Sequence, residues 1–557
     1  GSHSSSVGHL KKLGFALRHS STNIHSKDSR EMTSRLRSVG ASGSIDRLNV
    51  RARHQELIEE KAQVRKEGKR KYEVSLKEFR KETSEGKKKW TVINGSVYDI
   101  GKFTAPKQHP GGDFLDEFIG LDASLYFYTA HMKSENVWRT LRAFWVGYLI
   151  EEPENKTRQN EDKFGKKMVS KPDRLASKAD RSLMDLIDES ADKGLFHYPT
   201  SDIVKQIIIA IVLQIAQLIL CMWAYSPDTF NMGYFCACAI AGTLGYVIPV
   251  YMCHDGGHQS IFDTKKKNEN FIRWAGLLLA NLEMPETCRI HDYHHAFPNV
   301  VDRDHTLNTG FFKWHSTQIE GSLPTGYSIW APILWYTVAL SLYGVFELIS
   351  TVRVFLQEQR RFHLLLFGLR AAIIFLIPMQ MGYSWHIGAW HYIFALAGGY
   401  SFALISTFNH LAEPKETVAE FHEATHVWDK KRGFVDHQMG KTRSVTKVAF
   451  DDGLVAGWPT TKFKGPFVDF QEFLHQLVCW STGHFNYHNE HHCMPYMPRQ
   501  SLRKIAHRIR EIADLDEDKT QGALGEEGYR ACSYPQALRD VVYIVGQPLS
   551  ANHKVRV

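Results

Sequence analysis

The sequence predicts a multi-domain protein in which a small α+β domain is followed by an all-α integral membrane domain with four transmembrane helices. Apolar runs that are long enough to span a bilayer occur in pairs, and clusters of histidine follow them. A strand-like segment followed by a histidine at a Pro-Gly-Gly turn indicates the small domain. The chain has 557 residues, which is also too long for one ordinary domain.

Charge and cysteine usage narrow the class of protein. The net charge is +8, and residues 1–71 are basic with little apolar periodicity, which predicts a disordered arm. An organellar transit peptide is the alternative for this arm. A basic excess beside apolar segments favours contact with an anionic membrane face, and no nucleic-acid partner is expected. The eight cysteines form no C-x-x-C pair, which favours free thiols in a protein that is not secreted.

Residues 72–150 contain two histidines in a setting suited to heme. Trp90–Ile100 alternates in polarity and predicts strand, turn and strand. His109 precedes a Pro-Gly-Gly turn, where the glycines allow a flat cofactor to approach the backbone, and His131 ends an apolar run. Two histidines can hold a heme iron from both faces, an arrangement that transfers electrons and leaves no open position for oxygen.

These features together closely resemble cytochrome b5. The resemblance implies a heme b whose iron has His109 and His131 as axial ligands. Residues 151–200 are charged and predict a flexible tether that keeps this electron carrier close to the next domain. That membrane domain is expected over residues 201–515, and residues 516–557 are expected to form a C-terminal cytosolic tail.

Two hairpins supply the four predicted crossings. Gln206–Pro227 and Thr229–Cys253 are each long enough to span and are joined by a single residue. Ala371–Leu411 contains no Lys, Arg, Asp or Glu and predicts a second hairpin that turns near Gly382. Basic residues flank this hairpin, which places its outer ends, and both chain termini, in the cytosol.

Two other apolar runs are expected to lie in the membrane interface. Phe271–Leu282 is too short to span. Gly321–Phe346 is long enough, but an odd number of crossings between the histidine clusters would place one cluster on the opposite face. We therefore expect it to remain in the interface.

Three histidine clusters stand at the ends of apolar segments. The first is H-D-G-G-H, the second H-D-Y-H-H and the third H-N-E-H-H, each with its imidazoles on one helical face. Eight imidazoles exceed what one tetrahedral zinc needs and suit two ions that each keep an open position. Imidazole spacing alone does not distinguish iron from zinc, copper or nickel. The predicted ligands are His254, His258, His291, His294, His295, His488, His491 and His492.

The three clusters resemble those of the membrane fatty-acid desaturases over residues 200–515. Gly483–Arg499 is most similar to the front-end group, except that His488 stands where Gln is usual. The resemblance implies two non-heme iron ions, with His410 and Asn409 as further candidate ligands. It also implies an oxidoreductase that uses dioxygen to desaturate a lipid acyl chain in the endoplasmic reticulum. Asp255, Asn299 and Glu490 are candidates for orienting the ligands.

The resemblance implies electrons from an NADH-cytochrome b5 reductase. Two alternatives remain open at this point. One is a sphingolipid desaturase or lipid hydroxylase that uses the same metal centre. The other is a heme protein without catalysis that serves as an electron shuttle or scaffold.

Overall fold

A computed structural model gives the fold of most of both domains. It describes residues 73–104, 109, 112–132, 135–150, 177–226, 229–280, 284–307, 349, 351–354, 356–357, 361–411, 413–429, 432–447, 476–477, 479–513, 529–533 and 536–541. The basic arm, residues 151–176 of the tether and Gly321–Phe346 lie outside these residues. The predictions made for these segments are therefore not tested.

The small N-terminal domain is a four-stranded sheet with short helices. Its elements are β1 (Glu73–Ser75), α1 (Leu76–Ser84), β2 (Trp90–Ile93), β3 (Ser96–Asp99), α2 (Ser124–His131), α3 (Glu135–Arg142) and β4 (Trp145–Ile150). The strand order is β1-β4-β3-β2, with β1 parallel to β4 and the other pairs antiparallel. Asn94 and Gly95 both have positive φ and form the tight turn between β2 and β3. The strand, turn and strand predicted here are confirmed.

The first predicted membrane hairpin is formed by two long helices. They are α5 (Thr200–Ala224) and α6 (Met232–Gly257), and their connection carries a short β5–β6 pair (Tyr225–Ser226 with Thr229–Phe230). The Asn231 side chain caps α6 by accepting a hydrogen bond from the Tyr234 amide at 3.1 Å. Helix α6 does not stop at Cys253, and its last turn carries the first histidine cluster.

The second predicted hairpin consists of α9 (Arg361–Gln380) and α10 (His386–His410). Of the described helices, α5, α6 and α9 are long and apolar enough to cross a membrane. Helix α10 has 25 residues, but polar residues such as His391 and Ser401 interrupt its apolar run. His391 is buried and bonds Tyr246 and Gln217 on the first hairpin. The fourth crossing therefore remains a proposal.

Shorter helices carry and surround the remaining histidines. They are α7 (Lys265–Ala275), α8 (Met284–Ala296), α11 (Val418–Thr425), α12 (Phe434–Lys441), α13 (His488–Cys493) and α14 (Arg499–Ala513). Helix α7 continues as one π-helical turn, Gly276–Ala280, so Phe271–Leu282 is helical over most of its length. Its predicted position in the membrane interface is not tested.

Two segments expected to be loose are folded in part. Helix α4 (Lys178–Asp192) lies in the predicted tether, begins at a Ser177 cap and buries Leu183 in the main core. In the predicted tail, β8 (Ala531–Ser533) pairs in parallel with β7 (Ser444–Lys447). Neither range is therefore a free linker or tail throughout. Residues 151–200 are rich in charged residues, and a strand as short as β8 gives no extended periodic signal.

Leu183 tests the folded part of the tether. Its side chain is fully buried, so Leu183→Ala is expected to cost about 2–5 kcal/mol through lost contacts and an internal cavity. The measurement is the thermal unfolding temperature of the detergent-solubilised chain. Leu365→Ala is the matched control, because Leu365 is 65% exposed on α9. Equal unfolding temperatures for the two variants would contradict the docking of α4.

Candidate metal centre

Two glycines allow the first histidine cluster to approach its neighbours. A Cβ atom on Gly256 would lie 2.4 Å from Cγ2 of Ile272, and one on Gly257 would lie 2.6 Å from Sγ of Cys288. Larger residues at these positions would push α7 and α8 away from the end of α6. The H-D-G-G-H motif thus combines two imidazoles with the space that close packing needs.

The histidine clusters converge into two groups whose ligand nitrogens lie within 4.8 Å of one another in each group. All eight predicted ligands are present, and His410 at the end of α10 joins them. Eight of the nine residues are buried, and His291 is partly buried. The first group consists of His254, His258, His291, His295 and His491, and the second of His294, His410, His488 and His492.

The ring nitrogens of the first group point towards one another. Nε2 of His291 lies 2.8 Å from Nε2 of His254 and 3.1 Å from Nε2 of His295. Nε2 of His491 is buried and has no hydrogen-bond partner among the described residues. Two nitrogens bound about 2.1 Å from one metal at right angles are about 3 Å apart, so these spacings fit a shared ion.

Hydrogen bonds fix the tautomers in the second group. Nδ1 of His294 lies 2.9 Å from the Asp304 carboxylate, and Nδ1 of His410 lies 3.2 Å from the Lys441 carbonyl oxygen. Each Nδ1 must carry the proton, because both partners are acceptors. The two Nε2 atoms are 3.0 Å apart, and in the neutral tautomers both present lone pairs. A metal ion between them removes this repulsion, so the residues fit a bound metal.

Burial keeps the imidazoles outside the membrane helices in the ligating form. It lowers the pKa of His258 to about 3 and holds the pKa of His295 and His492 well below the ordinary value. Neighbouring imidazoles lower these pKa values further. A neutral imidazole is the form that binds iron, so no proton has to be displaced at neutral pH.

The strongest orienting contacts come from two residues that the sequence did not suggest. Burial alone would raise the pKa of Asp304, but His294, Thr306 and the Asn299 amide outweigh it and hold the pKa at about 2. Asp304 is therefore an ionised acceptor for His294. Gln438 accepts a hydrogen bond from Nδ1 of His492 at 2.9 Å. Gln438 also donates Nε2 to the His295 carbonyl oxygen at 3.0 Å, which links the second and third clusters.

The orienting residues suggested by the sequence have other main partners. Asp255 forms an ion pair with Arg499 at 3.2 Å, and its carboxylate is 3.9 Å from Nδ1 of His254. Asn299 donates Nδ2 to the carbonyl oxygens of His410 and Lys441. Asp255 and Asn299 therefore hold helices and backbone carbonyl groups in position around the site. Asp304 and Gln438 each lie 2.9 Å from Nδ1 of a candidate ligand ring. They lie on a loop and on α12, where periodicity gives no signal.

Asn409 and Glu490 also hold other elements in place. Asn409 donates Nδ2 to the Phe485 carbonyl oxygen at 3.0 Å and so ties α10 to the segment before the third cluster. Glu490 accepts hydrogen bonds from Tyr529 and Ser444. The role of Asn409 as a ligand remains a prediction.

The two histidines that the sequence predicts as heme ligands face each other across a narrow gap in the small domain. The ring centroids of His109 and His131 are 5.9 Å apart. Burial, and then the neighbouring His109 imidazole, lowers the pKa of His131 to about 3. Burial followed by Lys265 lowers the pKa of His109. Both rings are therefore neutral and suited to binding iron from opposite sides.

The small domain packs against the histidine-bearing helices. The Phe114 ring lies 4.6 Å from the Tyr293 ring and 4.7 Å from the Phe297 ring, measured between centroids. Glu117 accepts hydrogen bonds from Nε of Arg303 at 2.6 Å and from Nε2 of His422 at 2.7 Å. Burial opposes the ionised form of Glu117, but these two partners outweigh it and lower its pKa. The Glu117 carboxylate and an apolar core therefore join the two domains.

Comparison with known families agrees with this geometry. Residues 75–150 match the cytochrome b5-like heme/steroid binding domain, and residues 230–519 match the fatty acid desaturase family. The chain belongs to the fatty acid desaturase family. It is an oxidoreductase that acts on fatty acyl chains, and its cofactors are heme in the small domain and a di-iron centre.

The relatives of this desaturase have low sequence identity to it, although two of them match over about three quarters of the chain. The acyl-lipid (9-3)-desaturase of Physcomitrium patens is 20% identical over 440 residues, which cover 75% of this chain and 69% of the relative. The Delta(5) fatty acid desaturase of Caenorhabditis elegans is 21% identical over 447 residues, or 76% of this chain and 88% of the relative. The Delta(8)-fatty-acid desaturase of Borago officinalis is 25% identical over 266 residues, which cover 46% of this chain and 52% of the relative.

Asp304 provides a test of the second histidine group. Asp304→Asn removes the charge that orients His294 and is expected to weaken iron binding about 10–100-fold. The measurement is the non-heme iron retained after dialysis against a chelator. Asp302→Asn is the matched control, because Asp302 is exposed and its φ of 68° suits asparagine. Equal iron retention in the two variants would contradict the orienting role.

Proposed function

We propose that this protein is a front-end fatty acyl desaturase, which inserts a double bond between an existing one and the carboxyl end of the chain. The observation that carries the proposal is the convergence of nine histidines from four helices into two groups. The proposed metal ligands are these nine residues, and His109 and His131 are the residues that would hold the heme iron. Two groups with ring nitrogens facing inward suit two metal ions close together.

The reaction removes two hydrogens from adjacent methylenes. One acyl chain, one dioxygen, two electrons and two protons give one double bond and two waters. When bound, the di-iron centre supplies dioxygen activation and the heme supplies single electrons. The protein contributes fixed ligand orientation through Asp304 and Gln438. Aromatic rings make the surroundings of the first histidine group apolar. The centroid of the His254 ring lies 4.5 Å from that of Phe485 and 6.3 Å from that of Phe402.

Two observations support front-end selectivity. The segment Gly483–Arg499 resembles that group, and two relatives are named Delta(5) and Delta(8) desaturases. The departure at His488 is compatible with activity, since its Nε2 lies 2.5 Å from Nε2 of His410, within the second group. A histidine at this position can serve as a metal ligand.

We propose that the docked small domain delivers the electrons within the same chain. Phe114 follows the heme-binding turn closely, and Tyr293 stands between two ligands of the second histidine cluster. Their ring contact therefore provides a short route between the two cofactor sites. The external source is proposed to be an NADH-cytochrome b5 reductase. We further propose four crossings in the endoplasmic reticulum membrane, with histidine groups and termini on the cytosolic side.

Substrate feeding tests the proposed reaction. Yeast cells that express the chain are given a panel of fatty acids, and products are identified by gas chromatography and mass spectrometry. A new double bond on the carboxyl side of an existing one is expected. His491→Ala should abolish the product because it removes a ligand of the first group. His386→Ala is the matched control, because His386 is exposed at the far end of α10. A hydroxylated product, or product formed by the His491→Ala variant, would contradict the proposal.

A charge swap tests electron delivery through the docked domain. Arg303→Glu places a second carboxylate against Glu117 and is expected to slow reoxidation of the reduced heme roughly tenfold, equivalent to about 1.4 kcal/mol. Adding Glu117→Arg should restore most of the rate. The measurement is stopped-flow absorbance of the heme in the presence of dioxygen and substrate.

The control is a His109→Ala chain, which should show no b-type heme spectrum. Its lack of an absorbance change verifies that the stopped-flow signal comes from the heme. Wild-type reoxidation in the Arg303→Glu chain, with heme bound, would rule out the docked route.

A further inference from the structure

The helix that carries the third histidine cluster cannot hold its own orientation. Helix α13 spans only six residues, His488–Cys493, and the side chain of its N-cap residue, Tyr487, does not cap the helix. So short a helix has little stability of its own in isolation. Three proposed ligands nevertheless project from it into two histidine groups. Contacts on its other faces must therefore set the position of these imidazoles.

We propose that residues 529–533 and 536–541, here termed the C-terminal clamp, position the third histidine cluster. The inference rests on the proposed ligand roles of His488, His491 and His492. The clamp lies beyond residues 230–519, the part that matches the desaturase family. The proposed positioning role therefore belongs to a segment that the family match does not cover.

The clamp contacts the two residues of the cluster that are not histidines. Tyr529 donates its hydroxyl to Oε1 of Glu490 at 2.5 Å. The Arg530 carbonyl oxygen accepts a hydrogen bond from Nδ2 of Asn489 at 2.9 Å. Both Asn489 and Glu490 are fully buried. Because these side chains are held from outside, the three imidazoles of α13 are directed inward.

Strand pairing fixes the clamp to the rest of the site. The Ser444 amide donates to the same Arg530 carbonyl oxygen at 2.9 Å, and β8 continues alongside β7. Ser444 also donates its hydroxyl to Oε2 of Glu490 at 2.9 Å. The clamp, β7 and α13 thus share one hydrogen-bond network, in which the carboxylate of Glu490 receives one donor from each of two segments.

Two ion pairs attach the clamp to the end of α10, where His410 is located. Arg530 pairs with the buried Glu413, and Arg443 lies between Asp540 of the clamp at 2.8 Å and the Phe408 carbonyl oxygen at 2.6 Å. The clamp therefore spans from the third cluster to His410. The third cluster and His410 supply every residue of the second group other than His294. Loosening the clamp is expected to weaken that group most.

Chelator challenge of the full-length, iron-loaded and heme-loaded protein tests the proposal. Tyr529→Phe removes one hydroxyl and is expected to raise the rate of non-heme iron loss to a ferrous chelator about tenfold. Tyr529→Ala, which also removes the ring, should raise it further. Heme absorbance and unfolding temperature should stay at wild-type values in Tyr529→Phe. Tyr234→Phe is the matched control, since Tyr234 is 43% exposed at the far end of α6.

The outcomes separate this inference from the proposed function. Wild-type iron loss in both Tyr529 variants would overturn the clamp and leave the desaturase proposal intact. Faster iron loss accompanied by equal loss of heme and a lower unfolding temperature would also overturn it, because that result indicates general unfolding. Absence of non-heme iron from the wild-type protein would overturn the ligand assignment and the clamp together.

Discussion

Buried imidazoles whose ring nitrogens face one another determine how the histidine-bearing helices pack. Nε2 of His294 and Nε2 of His410 are 3.0 Å apart, and each ring already uses its Nδ1 atom for a hydrogen bond to an acceptor. Burial of unpaired polar atoms is unfavourable unless something compensates for it. Metal binding provides that compensation and links helices that are distant in sequence. The fold positions the ligands, and the bound metals in turn stabilise the fold.

This requirement explains contacts that are far from the metals. Gly256 and Gly257 lack side chains because α7 and α8 must approach the end of α6 closely. Asp304 and Gln438 fix the ring orientations, and Glu490 anchors the third cluster. The heme domain is bound to the same bundle through Glu117 and a shared apolar core, so this domain is held beside the second cluster. A large apolar interface of this kind restricts relative domain motion.

The sequence predicts features that depend on local patterns. Apolar length predicted the two helical hairpins, and four-residue spacing placed His254 and His258 on one face. The division of nine histidines into two groups depends on how distant helices pack, which periodicity does not encode. Asp304 lies on a loop, where an acidic residue is unremarkable. The sequence places Tyr529 in a tail, because the three-residue strand that follows it gives almost no pattern and pairs with a distant partner.

The number of bound metal ions and the atoms that ligate them decide whether the two histidine groups form a di-iron centre. Elemental analysis of the purified protein, together with X-ray absorption at the iron edge, measures both quantities. Two non-heme irons are expected for each heme, each bound mainly by imidazole nitrogen. A single iron, zinc in its place, or a sulfur-containing ligand shell would contradict this expectation.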